Sequence, residues 1–187
     1  MVAGLHYVPD YLDRTQHDQL LDTVSALDWQ DAGDRRIQFY GHWYAHARGG
    51  VYRVGPLPAW ADRLAARLHG DRLMPYMADQ LIVTEYQPGD GIRPHIDAPI
   101  FADVIVSVAL GSTCVMEFSR QGHVAERVLL EPRSAVVLAG DARHHWQHAI
   151  PPRTGDDWQG HRLRRSRRVS LTFRKMLQRA DAEALAR

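Results

Sequence analysis

Two side chains that commonly bind metal ions stand one residue apart in the motif His95-Ile96-Asp97. Because successive side chains of a β-strand point to opposite faces, a strand here would place the His95 imidazole and the Asp97 carboxylate side by side. A third ligand could come from a later segment, in which strand alternation puts His144 and His148 on one face and His145 on the other. The spacing does not choose between His144 and His148.

Two imidazoles and a carboxylate on one side of an ion leave its other side open, which is typical of the Fe(II) centres of non-haem oxygenases. A strand near the C-terminus could add a site for an anionic co-substrate. One of its faces is apolar, and the other carries two arginines and two hydroxyls: Arg168, Ser170, Thr172 and Arg174. Buried arginines require anionic partners. Six residues of strand span roughly 20 Å, so Arg168 and Arg174 would leave a gap that suits a small dicarboxylate such as 2-oxoglutarate.

Length and composition are those of one globular domain over residues 1–187. The chain is 45% hydrophobic, which at this size is enough to bury a core. Cys114 is the only cysteine, so no intrachain disulfide can form, and an intracellular location is compatible with that count. The N-terminus lacks a basic segment followed by an apolar one, and no apolar run approaches the roughly 20 residues of a membrane span. We expect a cytoplasmic monomer that does not associate with membranes.

The chain changes character near residue 79. Residues 1–78 contain two segments with helical spacing of apolar residues, one after a cap at Asp13 or Thr15 and one over residues 58–69. Residues 79–176 contain short β-type runs instead: 81–86, 94–97, 104–110, 113–118, 128–130, 135–139, 144–150 and 169–173. These predict an α+β, mainly β fold, a jelly roll (double-stranded β-helix) with N-terminal helices packed on the sheet. Residues 151–166 are predicted to form one exposed loop.

Charge and aromatic content give a weaker indication of the partner. The net charge is only +1, but cations are concentrated after Trp158. They could hold phosphates or form a solvated basic face: Arg162, Arg164, Arg165, Arg167, Arg168, Arg174, Lys175 and Arg179. Nearer the N-terminus, a segment rich in cations and rings could stack bases and bind a nucleic-acid backbone, or form a hairpin whose rings pack on the sheet. Its substrate-binding candidates are Arg36, Phe39, Tyr40 and Trp43.

Four motifs together resemble those of the AlkB-like Fe(II)/2-oxoglutarate-dependent dioxygenases, over the region from Leu81 to Lys175. They are Tyr86-Gln87-Pro88-Gly89, His95-Ile96-Asp97, Trp146-Gln147-His148-Ala149-Ile150 and Arg168-Val169-Ser170-Leu171-Thr172-Phe173-Arg174. The resemblance implies that His95, Asp97 and His148 bind the iron. It also implies a 2-oxoglutarate site made of Tyr86, Arg168 and Ser170 at the distal carboxylate, Arg174 near the chelating end, and Thr84 where the family usually has asparagine.

The resemblance also implies a reaction. Such enzymes use Fe(II), 2-oxoglutarate and O2, and they couple formation of succinate and CO2 to hydroxylation of a C–H bond, with no catalytic residue expected beyond the metal site. On an alkylated base of nucleic acid, reached in a single strand or flipped from a duplex, the methyl carbon leaves as formaldehyde. A second interpretation is hydroxylation of a modified wobble uridine in tRNA, because Arg36-Ile37-Gln38-Phe39-Tyr40-Gly41, Leu110-Gly111-Ser112 and Pro132-Arg133-Ser134 are similar to that branch. A third is an oxygenase that acts on a protein side chain or a small metabolite.

Overall fold

A computed structural model describes residues 2–45 and 50–177, apart from the side chains of residues 43–45 and 50–53. Its elements in chain order are β1 (Leu5–Val8), α1 (Arg14–Ser25), β2 (Gln30–Asp31), β3 (Arg36–Tyr40), β4 (His42–Ala45), β5 (Gly50–Arg53), α2 (Ala59–Gly70), β6 (Gln80–Tyr86), β7 (Ile92–His95), β8 (Ile105–Gly111), β9 (Cys114–Arg120), β10 (His123–Leu130), β11 (Ala135–Leu138), α3 (Gly140–His144), β12 (Gln147–Ile150), β13 (Gly155–Trp158), β14 (His161–Arg164) and β15 (Arg168–Arg174).

Two antiparallel sheets form the body of the protein. Within the described residues, the larger sheet has seven strands in the order β1-β11-β8-β15-β6-β3-β2, and the smaller has four in the order β10-β9-β12-β7. Two hairpins, β4-β5 and β13-β14, stand outside these sheets. Strands that are distant in sequence lie side by side, as where β15 pairs with both β8 and β6. This arrangement is a jelly roll, as the sequence predicts.

The outer face of the larger sheet packs against α1 and α2. Strand alternation sends Val169, Leu171 and Phe173 of β15 to this face, where each is fully buried. The helices close the same core with a stripe of apolar residues: Val24, Ala61, Leu64, Ala65 and Leu68. Burial of a large apolar side chain contributes roughly 1.5–3 kcal/mol. This packing fixes which face of β15 is buried under the helices and turns its polar face towards the smaller sheet.

Helix α1 begins at a reciprocal cap. Asp13 accepts a hydrogen bond from the Gln16 backbone N–H at 2.8 Å, and the Gln16 side chain accepts one from the Asp13 N–H at 3.1 Å. Because this capping box satisfies two donors at the helix end, Asp13 rather than Thr15 is the cap. In the part of the chain that the structure describes, no helix is both long and apolar enough to cross a membrane.

Two strand boundaries near the histidines differ from the prediction. The strand predicted over residues 94–97 is β7, which ends at His95, so Asp97 lies in the following loop. The strand predicted over residues 144–150 begins only at Gln147, because Gly140–His144 forms the short helix α3. The helix is held by hydrogen bonds that the periodicity does not reveal, such as that from the Ala142 N–H to the Ala3 carbonyl at 2.9 Å.

The predicted exposed loop over residues 151–166 instead contains the hairpin β13-β14. Its anchor is a buried ion pair in which Arg165 donates to Asp156 at 2.6 and 2.7 Å. Asp156 also accepts from the Val115 backbone N–H of β9 at 3.2 Å. Two of the charges of this segment, those of Arg165 and Asp156, therefore bind each other inside the protein.

Candidate active site

A cavity of about 180 Å³ lies between the two sheets. The larger sheet lines it with polar side chains, namely Thr84, Tyr86, Ser107, Arg168, Ser170, Thr172 and Arg174. His95 and His148 of the smaller sheet face them, and Asp97 comes from the loop after β7. The remaining lining is largely apolar, including Ile82, Ile92, Ile105, Met116, Val136, Leu138 and Ile150. Polar groups of both sheets thus converge in a mostly apolar chamber.

The three ligand-type side chains meet at one end of this cavity. His148 lies directly opposite His95 in the register of β12 and β7, and the two ring centroids are 4.3 Å apart. One potential ligand atom from each of His95, Asp97 and His148 lies within 4.8 Å of the others. His144 is elsewhere: it belongs to α3, and its Nε2 lies 3.2 Å from Asp103. Of the two alternatives that strand parity left open, the structure brings His148 to the other ligands.

The electrostatic surroundings keep two of these groups in the forms that bind metals. Burial by itself would raise the pKa of Asp97, but the charge of Arg174 and the two histidines outweigh it and hold that pKa well below its usual range. Burial lowers the pKa of His148 to about 4 against the attraction of Asp97. At neutral pH the pair is therefore a carboxylate and a neutral imidazole.

The hydrogen bonding of the histidines also fits a divalent cation. His95 Nδ1 lies 2.8 Å from the Arg93 carbonyl oxygen, so this nitrogen carries the proton and Nε2 presents a lone pair. His148 Nδ1 is buried and, among the described residues, has no hydrogen-bond partner. The other ring nitrogen, Nε2, lies 3.5 Å from the Asp97 carboxylate, so His148 would bind a metal through Nε2. Two nitrogens and a carboxylate suit Fe(II) and leave room for further ligands.

Arg168 supplies an anion site within the same cavity. Its side chain is only 3% exposed, and its Nε and Nη1 have no hydrogen-bond partner among the residues described. Tyr86 and Ser170 stand beside it, because Arg168 pairs with Tyr86, and Ser170 with Thr84, across β15 and β6. Burial raises the pKa of the Tyr86 hydroxyl, which therefore remains a neutral donor. A buried guanidinium with free donors requires an anion.

Arg174, at the other end of β15, is close to the ligand cluster. Its Nη2 donates to the Asp97 carboxylate at 2.6 Å, while its Nε is buried and lacks a hydrogen-bond partner within the described part of the chain. The two arginines are thus in unequal positions. Arg168 has no carboxylate hydrogen bond in the described structure, whereas Arg174 already shares Asp97 and keeps one donor for an incoming anion.

The structure places two of the four substrate-binding candidates outside the cavity. Arg36 and Tyr40 lie on the face of β3 that packs towards the helices: Arg36 donates to Glu85 at 2.6 and 2.9 Å, and the Tyr40 ring contacts Trp60 edge-on. Both therefore point away from the cavity. Phe39 lies on the opposite face, since it pairs with Ile82, which lines the cavity. Trp43 belongs to β4, and its side chain is outside the described residues.

Arg35 is a charged cavity residue that was not among the predicted site residues. It lines the cavity together with Ala32 and Ile37, is mostly buried, and donates to the Gly91 carbonyl at 2.7 Å. The alternation of side chains along the strand could have indicated that Arg35 lines the cavity, because residues 35, 37 and 39 lie on the face opposite to residues 36, 38 and 40, which face the helices. What the sequence did not show was which of these two faces is turned inward.

The C-terminal cation cluster is divided among separate ion pairs rather than gathered into one basic surface. The observed pairs are Arg162 with Asp157, Arg165 with Asp156, Arg167 with Glu85, Arg174 with Asp97 and Lys175 with Asp79. Arg164 is exposed, and Arg179 lies outside the described residues. A phosphate-binding role for the cluster as a unit is not supported by this arrangement.

Comparison with known proteins gives consistent results. A family model described as the 2OG-Fe(II) oxygenase superfamily matches residues 41–174. An uncharacterized protein, L905, of Acanthamoeba polyphaga mimivirus is 33% identical over 93% of this chain and 85% of its own length. The solved structure of OsALKBH1 superposes with a TM-score of 0.72 at 15% identity and covers 92% of this chain and 96% of its own, which supports the fold.

Two relatives have more informative names. An alkylated DNA repair protein ALKBH8 homolog of Arabidopsis thaliana is 33% identical over 94% of this chain. The tRNA (carboxymethyluridine(34)-5-O)-methyltransferase ALKBH8 of Mus musculus is 29% identical over 92% of this chain. The chain spans only 59% of the plant protein and 30% of the mouse protein.

Proposed function

The chain belongs to the 2OG-Fe(II) oxygenase superfamily as an AlkB-like Fe(II)- and 2-oxoglutarate-dependent dioxygenase, and we propose that it demethylates alkylated bases in nucleic acid. One observation carries the chemistry: a single cavity contains three metal-ligand side chains and a buried guanidinium without a partner among the described residues. When bound, iron would supply O2 activation and oxidation of a C–H bond, with release of succinate and CO2. Hydroxylation of an N-methyl carbon then gives formaldehyde and the unmodified base.

The residues of the cavity have separate roles. His95, Asp97 and His148 hold the iron through two imidazole nitrogens and one carboxylate. Arg168 binds the distal carboxylate of 2-oxoglutarate, and its neighbours Tyr86, Ser170 and Thr84 offer hydroxyl groups to the same oxygens. The apolar side chains between these groups keep bulk water from the site, so these contacts are stronger than they would be in water.

Arg174 orients the other end of the co-substrate. Because it already donates to Asp97, its guanidinium is fixed beside the iron ligands and places a positive charge near the chelating carboxylate. The same hydrogen bond holds Asp97 ionised. Arg174 thus both holds the metal ligand Asp97 and orients the co-substrate.

The substrate assignment rests on the relatives and on the shape of the cavity. The plant relative has a name that refers to alkylated DNA repair, and the mouse relative has one that refers to tRNA. The metal ligands line a cavity between the two sheets, so a base must leave its stack to reach the iron. Arg35 at the cavity lining provides a cation for a nearby phosphate, and Phe39 and Trp43 are candidates for stacking on a base.

Hydroxylation of a modified wobble uridine in tRNA is the second candidate. The mouse relative, named for carboxymethyluridine at tRNA position 34, favours it. Since this chain spans 30% of that protein, methyl transfer itself is not inferred. Oxidation at a carbon-linked substituent leaves a stable alcohol, whereas oxidation at an N-methyl group releases formaldehyde. The two reactions are therefore distinguishable by their products.

Mass spectrometry of the nucleosides tests both candidates. Protein loaded with Fe(II) and 2-oxoglutarate is incubated with N-methylated single-stranded oligonucleotides and, separately, with tRNA. Loss of a methyl group with formaldehyde supports demethylation, and gain of one oxygen in a uridine supports the second candidate. The Asp97→Ala variant is the inactive control. If neither nucleic acid changes while succinate accumulates with a peptide or metabolite pool, a nucleic-acid substrate is wrong.

A further inference from the structure

Arg143 is a buried arginine whose hydrogen bonds, as observed, go to main-chain carbonyl groups. It lies in α3 and is only 2% exposed. Its guanidinium donates to four carbonyl oxygens of one loop: Nη1 to Asp97 at 2.9 Å, Nη2 to Ala98 at 2.8 Å and Phe101 at 3.0 Å, and Nε to Ala102 at 3.3 Å. Four of its five N–H groups are therefore used on a single segment.

This segment is the loop that carries Asp97. Since β7 ends at His95, the sheet no longer fixes the main chain where Asp97 must meet the histidines. A guanidinium is planar and rigid, so four carbonyls that converge on it must adopt one mutual arrangement. The loop is thereby shaped by a side chain from another element, beginning at the carbonyl of Asp97 itself.

The same arginine is connected to a second ligand. Helix α3 leads into β12, which carries His148, so Arg143 is five residues before that histidine. His148 is in turn paired with His95 across β12 and β7. The hydrogen bonds from Arg143 to the Asp97 loop therefore connect the segments that carry His95, Asp97 and His148 to one another.

We propose that Arg143 is a positioning residue of the metal centre, which fixes the Asp97 carboxylate relative to His95 and His148 before the metal binds. The inference depends on the iron site of the family and not on the identity of the substrate. Groups that orient metal ligands without touching the metal commonly contribute 10–100-fold to affinity. A purely structural role would change stability but not metal affinity.

The test compares lysine substitutions at two arginines that donate to main-chain carbonyls. Arg143→Lys retains a positive charge, but one ammonium group cannot reach four carbonyls. We expect its Mn(II) affinity, measured by calorimetry on the metal-free protein without 2-oxoglutarate, to fall about 10–100-fold. Arg67→Lys is the matched control, because Arg67 donates to the Tyr11 carbonyl at 2.6 Å and to Asp71 in the helical layer, away from the cavity. Its metal affinity should equal that of the wild type.

Two outcomes would overturn the proposal. One is a folded Arg143→Lys protein that binds Mn(II) as tightly as the wild type. The other is an equal loss of affinity in Arg67→Lys, which would mean that affinity merely follows stability.

A measurement on the wild type covers the case in which Arg143→Lys does not fold. Hydrogen exchange of the metal-free protein should show the Phe101 and Ala102 amides protected, because the arranged loop lets them donate to Ala98 and Lys175 at 3.2 and 2.9 Å. Unprotected exchange of these amides in the metal-free protein would contradict a loop that is arranged before the metal binds.

Discussion

Arg168 is a buried cation that the protein leaves with two unsatisfied donors within its described structure. We expect Arg168→Met to weaken 2-oxoglutarate binding by about 100-fold or more, since charge-assisted hydrogen bonds contribute roughly 1.5–3 kcal/mol each. Because an unpaired buried charge is costly, the same variant should melt at a higher temperature than the wild type when both lack ligand. Calorimetric titration with 2-oxoglutarate in the presence of Mn(II), and thermal melts of the free proteins, measure the two effects.

Arg164, which is exposed on β14, provides the control for this substitution. Arg164→Met removes the same charge from the surface and should change neither the affinity nor the melting temperature appreciably. Wild-type affinity for 2-oxoglutarate in Arg168→Met would place the distal carboxylate elsewhere.

The choice between His144 and His148 is also open to a direct experiment. Anaerobic addition of Fe(II) and 2-oxoglutarate to the wild type should give a weak visible charge-transfer band. His148→Ala should abolish this band, because that ring lies within the ligand cluster, whereas His144→Ala should retain it, because that ring contacts Asp103 instead. Loss of the band in His144→Ala alone would reverse the assignment.

At the scale of the elements, the β13-β14 hairpin is anchored by the buried pair of Arg165 and Asp156. Arg165→Ala would remove both hydrogen bonds from Arg165 to the Asp156 carboxylate, which is 1% exposed, and leave it only the longer contact with Arg153 at 3.9 Å. Such a loss typically costs 3–5 kcal/mol, and we expect a decrease of about that size in the free energy of unfolding measured with urea. Arg162→Ala breaks the exposed pair with Asp157 in the same hairpin and should cost less than about 1 kcal/mol. Similar losses in both variants would show that the buried pair has no special role.

The sequence pattern predicts some elements of this fold better than others. The alternation of β15 was predicted in full, because both of its faces are chemically uniform over seven residues. The faces of β3 could not be assigned in this way, since its buried Gln38 faces the helices and donates to the Val24 carbonyl at 2.8 Å. The strand predicted over residues 94–97 would place Asp97 beside His95, but β7 ends at His95 and Asp97 lies in the following loop. Its true support, Arg143, lies 46 residues away, and no local pattern connects them.

On the scale of the whole molecule, the site depends on how the two sheets are held together. The smaller sheet contributes the histidines, the larger sheet contributes the arginines, and Arg174 joins them through Asp97. The helices cover the other face of the larger sheet and so determine which side of β15 is turned inward. A change that separates the sheets should therefore remove metal and co-substrate binding together.

The burial of His148 between the two sheets predicts how the stability of the metal-free protein depends on pH. The pKa of His148 is about 4 in the folded protein because of burial, against 6.5 in the unfolded chain. Between these values the unfolded chain binds the additional proton, so stability is highest above pH 6.5 and falls as the pH is lowered towards 4. From about pH 7.5 to about pH 5, His148 should account for a loss of about 2 kcal/mol in the free energy of unfolding. Urea unfolding at both pH values should show a smaller loss for His148→Leu than for the wild type, whereas His144→Leu should resemble the wild type. An equal pH dependence in the wild type and His148→Leu would mean that His148 is not held neutral by the fold.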